Sequence, residues 1–79
     1  MITVLFFGPV AERIGVSRLP AEYQPGMRLQ DLRDALQLQY PEAFALVSLA
    51  AVDGEHARDW GKVLTDGSEV VFMSKFSGG

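Results

Sequence analysis

Leu29-Gln30-Asp31-Leu32-Arg33-Asp34-Ala35-Leu36-Gln37-Leu38-Gln39-Tyr40 is the most regular stretch of the chain. Leu29, Leu32, Leu36 and Tyr40 follow at spacings of three, four and four, with Ala35 beside them. Gln30, Asp31, Arg33, Asp34, Gln37 and Gln39 lie mainly on the other side. A period of 3.6 residues turns this spacing into one apolar stripe, so the segment predicts an amphipathic helix with a single core-facing side. Asp31 and Asp34 sit near its start, where they suit the helix dipole. The usual polar N-cap is missing, because Arg28 stands where Ser, Thr or Asp serves better. Pro41 closes the helix.

Working outward, both flanks read as strands. Ile2 to Phe7 is β-branched and aromatic, is apolar at both parities, and ends at Gly8-Pro9. Val10 to Ile14 is one helical turn stopped by Gly15. Val16 to Glu22 is a weaker strand, expected to pair antiparallel with the first through a wide hairpin. Beyond the helix, Glu42 to Val47 is ambiguous, with a short helical turn as one reading. Leu49 to Val52 is a short strand ended by the turn pair Asp53-Gly54. Glu55 to Trp60 reads as an edge segment, Leu64-Thr65-Asp66-Gly67 as a turn, and Glu69 to Met73 as the last strand. The order β-β-α-β-(β)-β predicts an α+β domain over residues 1–75. It has a mixed sheet of four to five strands with one main helix across it, followed by a flexible tail at 76–79.

The 79 residues leave little room inside. A chain of this size buries about 60% of the surface its unfolded form exposes. A pocket of about 300–1,000 Å³ would consume much of such a core, which argues against a self-contained enzyme. A net charge of −3 with scattered basic residues gives no footprint for nucleic acid or an anionic membrane. Without cysteine there is no disulfide, thiolate metal site or thiol nucleophile. No run of apolar residues is long enough for a membrane span, and Met1 to Phe7 lacks the basic leader of a signal peptide. A soluble cytoplasmic protein is expected.

Catalytic sets are absent as well. His56 is the one histidine. Read as a calcium loop from Asp53, the sequence places Arg58 where glycine is required, so no metal site is predicted. Ser17, Ser48, Ser68 and Ser74 have no neighbouring histidine to suggest a triad. What remains is the end, Phe76-Ser77-Gly78-Gly79. Terminal glycines are often an idle frayed tail. Here they follow the last strand closely, so the carboxylate leaves a rigid sheet on a tether of roughly 17 Å. Without Cβ atoms, Gly78 and Gly79 thread a narrow channel easily, which suits delivery of the terminal carboxyl into another protein's active site.

Strand parity adds a surface. If Ile2, Val4, Phe6, Val70 and Phe72 face the helix, then Leu5, Phe7, Val71 and Met73 face outward. With the first and last strands side by side these four form an apolar partner patch, which Phe76 extends. The alternative is that Glu55 to Trp60 folds over the patch with Trp60 as lid.

Val4-Leu5-Phe6-Phe7-Gly8, the helix after Gly26, Ala50-Ala51-Val52-Asp53-Gly54, Leu64-Thr65-Asp66-Gly67-Ser68-Glu69-Val70 and Gly78-Gly79 together resemble the MoaD/ThiS family. The likeness is strongest to small subunits of molybdopterin synthase and runs over essentially the whole chain. It implies the ubiquitin-like β-grasp fold and a sulfur carrier that is non-catalytic on its own. The Gly79 carboxylate would be adenylated by an E1-like, MoeB-like enzyme using ATP, with no cofactor bound by the carrier. Sulfur from a persulfide would then replace AMP, and the Gly79 thiocarboxylate would attack a cyclic pterin precursor in a large, MoaE-like subunit, within a heterotetramer. The helical turn at Pro9 to Ile14 favours this role over that of the shorter ThiS-like carriers of thiazole synthesis. A ubiquitin-like protein modifier and a plain binding module stay open. Ser74 and Lys75 stand where members often carry two prolines.

Overall fold

Apolar residues at both parities suit the first strand for the middle of a sheet, and it lies there. The computed structural model describes residues 1–75. Its elements are β1 (Ile2–Phe6), α1 (Gly8–Ile14), β2 (Arg18–Ala21), α2 (Leu29–Gln39), α3 (Pro41–Phe44), β3 (Leu49–Val52), β4 (Glu55–Ala57) and β5 (Glu69–Met73). The strands form one sheet in the order β2-β1-β5-β3-β4. β1 runs antiparallel to β2 and parallel to β5, while β3 runs antiparallel to both β5 and β4.

The core lies between one sheet face and the helices. Ile2, Val4 and Phe6 of β1, Val70 and Phe72 of β5, and Ala50 and Val52 of β3 meet the stripe Leu29, Leu32 and Leu36 of α2. Phe6, Phe44 and Phe72 pack as an aromatic trio, with Phe44 and Phe72 edge to face at 5.0 Å between ring centroids. Tyr40, read as part of the stripe, is half-buried, and Ala35 is exposed. The ambiguous segment after Pro41 forms the short α3, which buries Ala43 and Phe44.

The absent N-cap of α2 is supplied from elsewhere in the chain. Leu29 N donates to Lys62 O at 2.9 Å and Gln30 N to Trp60 O at 2.8 Å. The carbonyls of a distant loop thus satisfy N–H groups that a cap side chain ordinarily serves. Arg28 N donates to Asp31 Oδ2 at 2.9 Å, and the Arg28 guanidinium donates to Gly61 O. Trp60 lies with its ring stacked on Phe72 (7° between planes), and the Arg33 guanidinium sits 4.4 Å above the indole. Trp60 therefore covers the helix side of the sheet.

Two turns complete the frame. Asp53 and Gly54 both have positive φ, 51° and 84°, which makes the β3–β4 connection a primed hairpin turn. The second turn leads into β5. Ser68 Oγ accepts from Thr65 N and Thr3 N donates to Ser68 O, so the buried serine joins this turn to β1.

Candidate functional site

The alternation of side chains that builds the core leaves the other residues of each strand on the outer face. Leu5 lies opposite Val71 on one side and Arg18 on the other. Val71 lies opposite Ala51, and Ala51 opposite His56. One row therefore crosses the whole sheet: Arg18, Leu5, Val71, Ala51, His56. Its centre is apolar, and a basic side chain and the histidine stand at its two ends. The next apolar pair is Leu49 opposite Met73. Phe7 follows β1 directly and is 51% exposed.

The outward face expected for Leu5, Val71 and Met73 is the face on which they stand, and Phe7, just past β1, is exposed. Their exposures differ, however. Leu5 and Met73 are half-buried, and Val71 is only 9% exposed because it is hemmed in laterally by Leu5 and Ala51. Sequence parity overstated how far water reaches Val71. It also missed Leu49 and Ala51, which join the patch because β3 is the other neighbour of β5. Their parity was legible in Leu49 to Val52, but the strand order was not. Trp60 lies on the opposite side of the sheet and leaves the patch uncovered, so the lid alternative does not hold.

At one end of this face the last strand hands over to the tail. Ser48 N donates to Met73 O at 3.1 Å, and Lys75 N donates to Ser48 Oγ at 2.9 Å. Ser74 is buried at 6% exposure. The stretch at Ser74 and Lys75 is thus tied to the start of β3 by hydrogen bonds on both sides. Phe76, Ser77, Gly78 and Gly79 lie outside the described residues.

The remaining candidates have structural roles. Asp53 Oδ1 accepts from Glu69 N at 2.9 Å, which joins the hairpin turn to the start of β5. Among the described residues no group of three or more His, Asp or Glu side chains is placed to hold a metal ion. No helix among them is long and apolar enough to cross a membrane. Asp66 accepts from the Met1 ammonium at 2.6 Å. That hydrogen bond first, and then the charge, holds its carboxyl below the usual carboxylate range.

The ThiS family matches residues 4–79. The chain belongs to the ThiS family. A ThiS-family chain is a ubiquitin-like protein of the sulfur-carrier class, and members of that family work with partner enzymes. Among curated proteins nothing matches this ThiS-family chain significantly. Solved structures do match. A candidate molybdopterin converting factor subunit 1 from Pyrococcus furiosus is 22% identical with a TM-score of 0.81, covering 92% of this chain and 94% of its own. Small archaeal modifier protein 1 from Haloferax volcanii is 21% identical with a TM-score of 0.82, covering 99% and 98%. Its namesake from Methanosarcina acetivorans is 18% identical with a TM-score of 0.79, covering 99% and 95%. At these identities the likeness establishes the β-grasp fold.

Proposed function

We propose that this chain is the sulfur-carrying small subunit of a molybdopterin synthase, with the Gly79 carboxylate as its working group. The observation that supports this reading best is continuity. The apolar row Leu5–Val71–Ala51 runs on through Leu49, Met73 and Phe7 to the end of the sheet where Lys75 is anchored. A partner seated on this face holds Lys75, from which the tail departs, in a defined place. The helix α1 after β1 is the feature on which the sequence favoured this role over thiazole synthesis.

In this reading a partner enzyme activates the carboxylate. A Gly79 oxygen attacks the α-phosphorus of ATP, pyrophosphate leaves, and the acyl carbon gains AMP as a good leaving group. The terminal sulfur of a protein persulfide attacks that carbon and AMP departs. A second thiol then cleaves the sulfur–sulfur bond, which releases the thiocarboxylate and leaves a disulfide behind. In the large subunit the thiocarboxylate sulfur attacks an oxygen-bearing carbon of the cyclic pterin precursor, the new carbon–sulfur bond forming as the carbon–oxygen bond breaks and that oxygen leaves with a proton. Water cleaves the acyl–sulfur bond, leaving sulfur on the pterin and the carboxylate ready for another round. The carrier supplies no acid or base. It supplies a docking face, an anchored exit at Ser48 and Lys75, and a tail slim enough for a narrow site.

A second reading, covalent attachment of Gly79 to lysines of other proteins, draws on the two archaeal modifier structures. Intact-mass analysis after incubation with an E1-like adenylating enzyme, ATP and a persulfide donor separates the two. Exchange of one oxygen for sulfur, with restored pterin synthesis when a large synthase subunit is added, is the expected result. Lysine adducts without the exchange give the modifier reading instead, and an unmodified chain defeats both.

A further inference from the structure

We propose that the groove between β2 and α2 is a second docking site, for an extended basic and apolar segment of a partner protein, occupied while the outer sheet face and the tail remain free. The groove has a volume of about 600 Å³. Leu19 and Ala21 of β2, Met27 before α2, and Leu32 and Leu36 of α2 line its floor. Leu19, Ala21 and Met27 are only partly buried, so apolar surface remains for an occupant to cover.

The backbone of β2 says what form the occupant takes. β2 is an edge strand, paired with β1 alone. Phe6 N donates to Ser17 O at 2.9 Å, so Ser17 turns its backbone toward β1. Alternation along an antiparallel ladder gives Leu19 and Ala21 the same inward direction. Arg18 and Pro20 therefore turn their backbone groups away from the sheet. Arg18 offers an N–H and a carbonyl there, whereas Pro20 offers a carbonyl only. The missing proline donor costs no bond to β1 and stops the edge from growing indefinitely. What is left accepts a short extended segment, whose alternate side chains drop into the groove.

Charge then selects the partner. The charged side chains of the lining are Glu22 and Asp31, both acidic. A second copy of this chain would set these acids against their duplicates and bring two proline-blunted edges together, which disfavours self-pairing. A segment that carries Val or Ile at alternate positions, with Lys or Arg at its ends beside Glu22 and Asp31, meets both requirements. It leaves the apolar centre of the outer face, Leu5, Val71 and Ala51, uncovered. Leu19 and Ala21 point to the helix side, and Ala21 pairs with Ile2, at the opposite end of β1 from Phe6 and the tail.

The test is an NMR titration of the isotope-labelled full chain with two synthetic heptapeptides that carry Val at alternate positions with Ser between them, one with Lys at both ends, the other with Glu at both ends. The basic peptide is expected to give saturable shift changes at residues 19–27 and 31–40, weakened by salt. The acidic peptide is expected to give none there. Glu22 is exposed, so Glu22→Lys leaves the fold intact and is expected to weaken the basic peptide by about tenfold. Several results would overturn the proposal: no saturable response, an equal response to both peptides, affinity unchanged in Glu22→Lys, or changes centred on Leu5, Ala51 and Val71.

Discussion

The Lys75 amide donates to Ser48 Oγ at 2.9 Å, where the chain leaves the last strand. A proline stiffens by locking φ and gives up its N–H, whereas this chain keeps the N–H and spends it on an anchor. Ser48→Ala should raise hydrogen exchange at the Lys75 amide sharply and lower global stability by no more than about 1 kcal/mol. Loading of Gly79 should slow in that variant and recover in Ser48→Thr, which restores the hydroxyl. Exchange at Lys75 unchanged by Ser48→Ala would show that the anchor lies elsewhere. Asp66 is a second residue with a readable consequence. The Met1 ammonium lowers its folded-state carboxyl below the unfolded value, so the contribution to stability is present above the unfolded pKa and is lost as pH falls through the folded one. Asp66→Asn should remove that part of the acid-limb loss while leaving neutral stability nearly unchanged, because both groups are exposed and screened. Denaturant midpoints measured across the acidic range at low salt check this.

At the level of elements, the periodic segments were the legible ones. The stripe of α2, the run of β1 and the turn pair Asp53-Gly54 announce themselves because each is governed by neighbours in sequence. Contacts made across the chain were not legible. Arg28 looked like a poor cap because the carbonyls of Trp60 and Lys62 that serve α2 come from a loop with no period of its own. The alternative of Trp60 as a lid for the outer face stays open in the sequence for the same reason. Leu49 and Ala51 joined the patch only once β3 was known to flank β5. The Arg33–Trp60–Phe72 stack ties that aperiodic loop to α2 and the sheet. Trp60→Leu and Arg33→Met separate its parts. In a double-mutant cycle read by chemical denaturation, the charge-on-ring coupling should be about 0.5–1 kcal/mol, and it should survive high salt better than a surface ion pair. Zero coupling would reduce Arg33 to a packed hydrocarbon stem.

For the molecule as a whole, the proposed docking face lies opposite the buried core, and a substitution shows which side a residue serves. Phe7 is 51% exposed and follows β1 at the tail end of the sheet, outside the buried cluster. A charge there stays in contact with water in the free carrier but is stripped of it when a partner sits down. Phe7→Asp should therefore weaken binding to a large synthase subunit by about a hundredfold or more while shifting the denaturation midpoint little. Phe6→Asp, one residue earlier on the buried side, should unfold the protein outright. Calorimetric titration beside thermal melts gives both quantities, and equal losses of binding and stability in Phe7→Asp would place Phe7 in the core. The terminus is tested in the same spirit. One alanine added after Gly79 leaves residues 1–75 untouched and moves the carboxylate by about 3.5 Å. If that carboxylate is the working group, the extended chain should melt like the parent, bind the partner through its outer face, and carry no sulfur. Sulfur transfer by the extended chain would mean that the reacting atom lies elsewhere on the molecule.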